Sequence, residues 1–347
     1  MLKLYTKNLI RFFCATLVSG SLWALPDPGS VTFGGAGGVR QKHIVLIAGD
    51  EGYRSEEALV QLAKILSVRH GFACTVLFSL ADDGTIDPRV QKHVSHPAAL
   101  DSADAIVVAL RFRAWPDEAM RHFVDAYLAG KPIVALRTST HAFKYPADSV
   151  SEFRKYSFDS KEWAGGFGRQ VLGETWAGHR GANYKEATRG IPEPSAARHP
   201  LLRGVGTVFS DTGAYNASPA SDVTVLLRGA VLTGINATSP LDATGKNDPM
   251  QPIAWSRMHR NERGNVNRVM CTTLGSSTDI LEEGFRRLLV NAVYWGLGQE
   301  VPAKADVGLV GDFSPSAYGN KFQPGVRPAN LALPVSEFKA LKSRSSD

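Results

Sequence analysis

A cation, three hydroxyls and an imidazole occupy five consecutive positions, Arg137 to His141. An imidazole can take up or release a proton near neutral pH, and a guanidinium can stabilise a developing negative charge. These residues directly follow the apolar run 132–136, which is typical of a short buried strand. The composition therefore indicates a site for a polar ligand. The alternative is a cluster of helix-capping hydroxyls with an incidental histidine.

A second stretch with chemical potential is Val171 to Gly181, where Glu174, Trp176 and His179 lie between glycines. Glycine lets the backbone turn sharply or approach a ligand closely. An indole beside an acid and an imidazole is typical of a sugar-binding surface. The alternative is a surface loop with a packed tryptophan.

These two stretches require a scaffold, and the hydrophobic pattern predicts a doubly wound, mainly parallel α/β sheet of flavodoxin-like type in a single domain. Continuous apolar runs predict strands, and residues at helical spacing predict helices. The predicted strands are 43–48, 72–78, 104–110, the short run before Arg137, 223–227, 252–255 and 269–273. The predicted helices start at Ser55, which we interpret as a cap, at Pro116 and at Glu282.

Polar side chains follow most of the predicted parallel strands. In such sheets, ligands bind beyond the carboxyl ends of the strands, so we expect these side chains to share one crevice. The candidates from these loops are Asp50, Glu51, Arg54, Arg111, Arg113, Thr138, Ser139, Ser276, Thr278 and Asp279.

The terminal segments differ in composition from the domain at 43–297. Residues 1–24 combine three basic residues with an apolar run, which predicts a cleaved signal peptide and a periplasmic or secreted protein without membrane attachment afterwards. Residues 25–42 are rich in glycine and proline and precede the first predicted strand, so we interpret them as a linker. Residues 298–347 form a tail that we expect to be extended along the domain surface or disordered.

Charge and cysteine content narrow the functional class. The chain has a formal charge of +6, which falls to +3 without the three basic residues of the predicted signal. No basic cluster remains, so we expect no nucleic-acid partner. Cys74 and Cys271 each lie in an apolar run, which favours buried free thiols over a disulfide.

Several motifs together resemble the ThuA-like (trehalose-utilisation-type) domain, whose fold is similar to that of class I glutamine amidotransferases. The resemblance extends over about 43–297. It is carried by residues 49–59, 136–143, 171–181, 199–204, 253–255, 272–279 and 285–292.

The chain also departs from those families at positions that matter for chemistry. The amidotransferases have a nucleophilic cysteine at the turn after the central strand, where this chain has Arg137-Thr138-Ser139, so glutamine hydrolysis through a thioester is excluded. Relatives often have two consecutive histidines where this chain has His179-Arg180. Some have a histidine at the position of Ser276.

The resemblance implies a small-molecule carbohydrate as the partner, specifically a sugar or keto-sugar such as a trehalose-type disaccharide derivative. Isomerisation, epimerisation or elimination beside a ketone needs a base and a group that stabilises the enolate. The catalytic candidates are His141, His179, Glu174 and Arg137. The remaining candidates, Trp176 included, would bind the substrate.

Two other functions stay open at this point. One is a metal-dependent hydrolase or isomerase, in which His141, His179 and one of Glu174, Asp50 or Glu51 bind a divalent metal. The other is a sugar-binding module without catalysis. The sequence predicts no cofactor beyond that metal alternative, and it indicates no oligomeric state.

Overall fold

The computed structural model describes residues 29–34, 41–319 and 324–333, which form one ten-stranded mixed sheet with helices on both faces. The strand order is β1-β3-β2-β4-β5-β10-β9-β8-β6-β7. The strands are β1 (Ser30–Phe33), β2 (His43–Gly49), β3 (Ala73–Phe78), β4 (Ala105–Leu110), β5 (Ile133–Leu136), β6 (Thr188–Pro192), β7 (Val208–Ser210), β8 (Thr224–Val231), β9 (Gln251–Arg260) and β10 (Val266–Thr272). The helices are α1 (Ser55–His70), α2 (Asp117–Leu128) and α3 (Glu283–Gly296).

The five central strands, in the order β3-β2-β4-β5-β10, are parallel to one another. The other five strands pair antiparallel at the two sides of this block. The predicted α/β class is confirmed, and the parallel strands occupy the centre of the sheet, where both faces are covered.

Two hydrophobic cores lie on opposite faces of the sheet. Along β4, Val107 faces the core that contains α1 and α3, whereas Ile106 and Val108 face the core that contains α2. This alternation follows from the two-residue period of a strand. Helices on both faces confirm the doubly wound arrangement.

The ends of α1 agree only in part with the sequence pattern. Gly71 ends the helix in a left-handed conformation with φ of 71°, and its N–H donates to the Ser67 carbonyl. Ser55, however, is the first helical residue and is not a cap. Its hydroxyl accepts a hydrogen bond from the backbone N–H of Asp50, 3.0 Å away, and thereby fixes the loop after β2.

The predicted linker contains a strand, so that interpretation is wrong for Ser30–Phe33. These residues form β1, which pairs antiparallel with β3 and buries Val31 and Phe33. The sequence Ser-Val-Thr-Phe has β-branched and aromatic residues, and one side of the strand completes the core under α1. The predicted signal peptide at 1–24 lies outside the described residues.

The first part of the C-terminal segment packs against the domain and contributes to its core. Val301, Ala305, Val307 and Val310 are buried, and the segment continues to Gly319. Among the described residues, no helix is long and apolar enough to cross a membrane.

Both cysteines of the described chain are free and buried, which confirms the interpretation as free thiols. Cys74 lies on β3 and Cys271 on β10. Burial raises the pKa of both thiols, because the charged thiolate is poorly solvated in the core.

Candidate active site

A cavity of about 250 Å³ lies beyond the carboxyl ends of β2, β4 and β5. β3 pairs with one edge of β2, and β4 pairs with the other edge. The strand order therefore reverses at β2, and the cavity lies at this point. Its walls are Gly52, Tyr53, Arg111, Phe112, Thr138, His141, Trp176, His179, Asn183, Tyr184, Tyr215, Tyr318 and Gly319.

Arg137 lies beneath this cavity, at the turn where β5 passes into the short 3-10 helix Arg137–His141. Its φ of 37° is uncommon for a residue with a side chain, and surrounding contacts must stabilise it. Its side chain is 1% exposed. The guanidinium donates to the carbonyl of Thr273 at 2.7 Å, to the Tyr53 hydroxyl at 3.0 Å and to the carbonyl of Gly213 at 3.3 Å.

The charge of Arg137 is stabilised by aromatic rings. The guanidinium carbon lies 4.0 Å from the ring centre of Tyr53 and 4.7 Å from that of Tyr215. Burial alone would lower the pKa of Arg137, but its interactions with Tyr215 and Tyr53 outweigh burial and raise that pKa. Arg137 forms no ion pair with a carboxylate within the described chain. It therefore supports the tyrosines of the cavity from below.

His141 presents its imidazole to the cavity from the same 3-10 helix. The side chain is 3% exposed, and its ring centre lies 5.1 Å from that of Phe112 and 5.2 Å from that of Trp176. Nδ1 lies 3.3 Å from the Thr140 hydroxyl, and Nε2 has no hydrogen-bond partner in the described part of the chain. Burial, followed by the nearby positive charge of Arg111, lowers the pKa of His141 well below its usual value. The imidazole is therefore neutral at neutral pH.

His179 faces the same cavity from the loop 171–181. Its ring is perpendicular to that of Tyr215 at 5.0 Å and lies 6.1 Å from that of Trp176. His141 contacts the same two rings, at 6.3 Å from Tyr215. Partial burial and the charge of Arg137 lower the pKa of His179. Two neutral imidazoles therefore share one aromatic wall.

Three tyrosines from distant segments stack into the opposite wall. The rings of Tyr53 and Tyr318 are 5.6 Å apart at 22°, and those of Tyr318 and Tyr184 are 4.7 Å apart at 17°. The Tyr318 hydroxyl accepts from the backbone N–H of Tyr184 at 2.8 Å, and Asn183 donates to the Tyr53 hydroxyl at 2.7 Å. The C-terminal tail thus contributes directly to the cavity.

Five of the predicted site residues line the cavity, and Arg137 lies directly below it. The five are Arg111, Thr138, His141, Trp176 and His179. The structure places the remaining candidates elsewhere: Asp50, Glu51, Arg54, Arg113, Ser139, Glu174, Ser276, Thr278 and Asp279.

Glu174 is not positioned for proton transfer in this cavity. Its Oε1 accepts from the N–H of Thr175 at 2.9 Å, its Oε2 accepts from the N–H of Ser218, and Arg169 lies 3.5 Å from Oε1. Burial raises its pKa. The carboxylate therefore stabilises its own loop, and Glu174 is not among the residues that line the cavity.

Asp50 and Glu51 are also occupied by the protein itself. Asp50 accepts from the N–H groups of Gly52 at 2.7 Å and Tyr53 at 3.2 Å, and Thr138 donates to its second oxygen. Glu51 bridges two arginines, since Arg111 pairs with its Oε1 and Arg113 with its Oε2. In the described ranges, no group of three or more His, Cys, Asp or Glu side chains is arranged to hold a metal ion.

Ser139 and Arg113 connect strand ends and do not line the cavity. The Ser139 hydroxyl donates to the Val108 carbonyl at 3.0 Å and accepts from the N–H of Leu110 at 3.2 Å. Arg113 is fully buried and donates to the Pro88 carbonyl at 2.8 Å. These hydrogen bonds leave neither side chain directed at a ligand in this cavity.

The loop after β10 and the entry to α1 are likewise structural. Asp279 accepts from the N–H groups of Gly275 at 2.7 Å and Ser276 at 3.0 Å, while Thr278 donates to Asp211 at 3.0 Å. Arg54 is buried and pairs with the neighbouring acids of α1.

Sequence reasoning missed the tyrosines and Asn183. Tyr53 lies within the motif after β2, but a tyrosine beside charged residues gives no sign that it faces a ligand. Tyr215 and Tyr318 lie in loop and tail segments without periodicity. Their proximity to the cavity depends on tertiary packing alone.

No family model matches this sequence, and no curated protein matches it. Among solved structures, the chain is similar to a protein described as ThuA-like from Parabacteroides merdae ATCC 43184, with 13% identity over 81% of this chain and 98% of that one and a TM-score of 0.46. It is also similar to a second protein described as ThuA-like, from Bacteroides uniformis ATCC 8492, with 15% identity, coverage of 76% and 94% and a TM-score of 0.43. Both of these proteins are described by the name of the family that the sequence motifs resemble.

A third similar structure is the exo-beta-1,4-mannosidase Op5Man5 from Opitutaceae bacterium strain TAV5. Here the identity is 8%, the TM-score is 0.34, and the match covers 74% of this chain but 36% of the mannosidase.

Proposed function

We propose that this protein is a carbohydrate-acting enzyme that moves a proton beside the carbonyl group of a sugar or keto-sugar, with His141 as the base. The proposal rests on the surroundings of the His141 imidazole. Its imidazole is buried against Phe112 and Trp176, lines the cavity and has an Nε2 without a partner in the described chain. A neutral ring nitrogen in this position can accept a proton from a bound substrate.

The residues around His141 suit the charge that such a step creates. When Nε2 removes a proton from the carbon next to a ketone, the C–H electron pair forms an enolate and negative charge develops on the ketone oxygen. Arg111 brings a guanidinium to the same cavity. Protonation of the same carbon from the opposite face, for which His179 in the same cavity is a candidate acid, gives epimerisation. Where that carbon carries a hydroxyl, transfer of the hydroxyl proton to the ketone oxygen and protonation of the former carbonyl carbon give isomerisation. Departure of a group from the next carbon gives elimination.

The cavity walls also suit a sugar. Trp176 offers an aromatic face, and Thr138, whose hydroxyl donates to Asp50, keeps lone pairs that can accept from a sugar hydroxyl. Tyr184 is largely exposed at the rim, next to the stack with Tyr318. A second sugar ring of a disaccharide could rest there.

The partner in this proposal is a small carbohydrate, and the location is the periplasm or the exterior of the cell. The location depends on the predicted signal peptide. A purified protein whose N-terminus begins near Leu25 would support it, whereas an intact N-terminus in protein from the natural source would contradict it.

The experiment that tests the function is solvent exchange. The protein is incubated with mono- and disaccharides and their keto derivatives in D₂O, and products and deuterium content are measured by NMR and mass spectrometry. Deuterium incorporation beside the carbonyl, abolished in His141→Ala, is the expected result. A keto-sugar that raises the melting temperature without exchange or turnover would instead identify a sugar-binding module without catalysis.

A further inference from the structure

The cavity that contains His141 presents a positive charge to its ligand and no negative one. Among the described residues, no Asp or Glu lines this cavity, and Arg111 is the only arginine or lysine that does. The two histidines of the lining are neutral at neutral pH, because burial lowers the pKa of His141 and of His179. A cavity lined by one sign of charge favours a ligand of the opposite sign.

The ion pair with Glu51 leaves much of the Arg111 guanidinium unused. The Glu51 carboxylate also pairs with Arg113 at 2.9 Å, so one negative charge lies between two positive ones. Arg111 uses only Nη1 in this contact, and its Nε and Nη2 donate to no group of the described chain. Both atoms keep solvent-accessible surface, since the buried polar atoms without partners do not include them. The side chain is 32% exposed, so a ligand can reach this pair of donors.

Three carboxylates lie near the cavity without lining it: Asp50, Asp211 and Asp279. Asp50 accepts from two backbone N–H groups and from the Thr138 hydroxyl. Burial raises the pKa of Asp211 to about 6 and also raises that of Asp279, and the positive charge of Arg137 opposes both shifts. These acids therefore interact with the buried cation below the cavity and leave Arg111 available to a ligand.

A second cation lies beside the same wall. The guanidinium carbon of Arg111 is 4.6 Å from the ring centre of Phe112, and Nζ of Lys144 is 5.5 Å from that centre. Lys144 is exposed and forms no ion pair within the described ranges. Its charge adds to a positive potential that attracts anions toward the cavity.

We propose that the sugar bound in this cavity is an acid, specifically a 2-keto sugar acid whose carboxylate adjoins the reacting ketone. The inference rests on the proposed proton transfer. The planar guanidinium of Arg111 can donate two parallel N–H bonds, one to a carboxylate oxygen and one to the adjacent ketone oxygen. Because the lining offers one accessible cation, the carboxylate and the enolate share it only when they are neighbours in the ligand.

This arrangement accounts for each proton and electron pair of the step. His141 Nε2 takes the proton from the hydroxyl-bearing carbon next to the ketone, and the C–H electron pair forms the double bond of the enolate. The carbonyl π pair moves to the ketone oxygen, which already accepts from Arg111. The guanidinium therefore both selects the acid and stabilises the charge that the proton transfer creates.

The test compares 2-keto-D-gluconate with D-fructose, which differ only at the carbon beside the ketone, a carboxylate in the first and a hydroxymethyl group in the second. Calorimetry on the full chain at low salt should show that the acid binds at least tenfold more tightly. High salt should weaken the binding of the acid and leave that of D-fructose unchanged.

Three variants assign this preference to Arg111. Arg111→Met should reduce the preference for the acid to about threefold or less, and it should fold, because Glu51 stays paired with Arg113. Arg111→Lys keeps the charge without the planar fork and should retain only part of the preference. The matched control is Arg121→Met, which removes an exposed arginine that pairs with a glutamate on α2, and it should change neither affinity.

Equal affinity of the wild type for the two sugars, or an undiminished preference in both Arg111 variants, would overturn the proposal. Tighter binding of D-fructose 1-phosphate than of the keto acid would overturn it in favour of a phosphate site. Solvent exchange in D₂O separates this inference from the proposed function. Equal exchange of both sugars through His141 would overturn the acid specificity and leave the proton transfer intact. Tight binding of the acid through Arg111 without exchange would support the specificity and contradict the proton transfer.

Discussion

The guanidinium of Arg137 both covers the ring of Tyr53, at 4.0 Å from its centre, and donates to its hydroxyl at 3.0 Å. Arg137 belongs to the turn after β5 and Tyr53 to the loop after β2. One buried cation therefore connects two of the loops that form the cavity. Since Tyr53 stacks on Tyr318, the same contact also supports the wall contributed by the tail.

Arg137→Met should lower the free energy of unfolding by about 3 kcal/mol, because the carbonyls of Thr273 and Gly213 would lose a charged donor inside the protein. Urea unfolding followed by tryptophan fluorescence measures this. Arg137→Lys is the informative control, since lysine keeps the charge but lacks the planar fork, and it should recover less than half of the loss. An unfolding free energy of Arg137→Met close to wild type would contradict this role.

His141→Ala should lower kcat by a factor of about 10² to 10⁴, the usual contribution of a positioned base, while KM for the keto-sugar changes only a few-fold. Steady-state kinetics on the substrate identified by solvent exchange provides the measurement. His179→Ala is the comparison, because His179 faces the same aromatic wall but is much more exposed. Full turnover in His141→Ala would remove the proposed proton-transfer role.

The stability of the protein should fall as the pH drops below about 6.5, and His141 should account for part of that fall. Its pKa is lowered in the folded protein, so below the ordinary histidine pKa the unfolded chain binds a proton that the folded chain does not. Each such histidine contributes a slope of up to about 1.4 kcal/mol per pH unit between its unfolded and folded pKa. Above pH 7.5 the contribution vanishes, because both states are neutral.

Urea unfolding of wild type and His141→Gln between pH 8 and pH 5 tests this. The difference between the two proteins should be constant above pH 7.5 and should shift in favour of the variant as the pH falls. The acids Asp211 and Glu56 act in the opposite direction, since burial raises their pKa values to about 6 and about 7. They are unchanged in the variant, so a difference that stays constant down to pH 5 would contradict the assignment to His141.

The sheet was predictable because its central strands are continuous apolar runs. Residues 44–48 and 105–110 contain no polar side chain, and a run of this kind is typical of a parallel strand that is buried on both faces. The edge strand β1 was not predictable, because four residues among glycines and prolines carry little pattern. His141 was a candidate because it belongs to the polar segment Arg137–His141, which directly follows the apolar strand β5.

The orientation of the other polar side chains could not be predicted. Ser139 and Thr138 are adjacent and chemically similar, yet Thr138 lines the cavity and Ser139 bonds to β4. The choice depends on which backbone groups remain unpaired at the strand ends after the sheet has formed. Tyr318 is the extreme case, because a segment 265 positions after Tyr53 along the chain packs against it.

Tyr318→Leu should weaken sugar binding about tenfold and lower the free energy of unfolding by about 1–2 kcal/mol. Leucine fills part of the space but removes the stacking with Tyr53 and Tyr184, and each aromatic pair contributes up to about 1.5 kcal/mol beyond its buried area. Calorimetry with the sugar ligand and urea unfolding provide the two measurements. The core should stay intact, since the buried tail residues such as Val307 and Val310 precede this position.

Tyr318→Phe separates stacking from hydrogen bonding at the same position. Phenylalanine keeps both stacks and loses only the hydroxyl that accepts from the N–H of Tyr184, so its sugar affinity should remain within about threefold of wild type, at a stability cost of about 1 kcal/mol. If the ring is the wall of the site, affinity therefore follows the order wild type, Phe, Leu. Equal affinity in all three proteins would mean that the tail packs against the domain without contributing to the ligand site, because the leucine variant has lost the aromatic face and the other two have not.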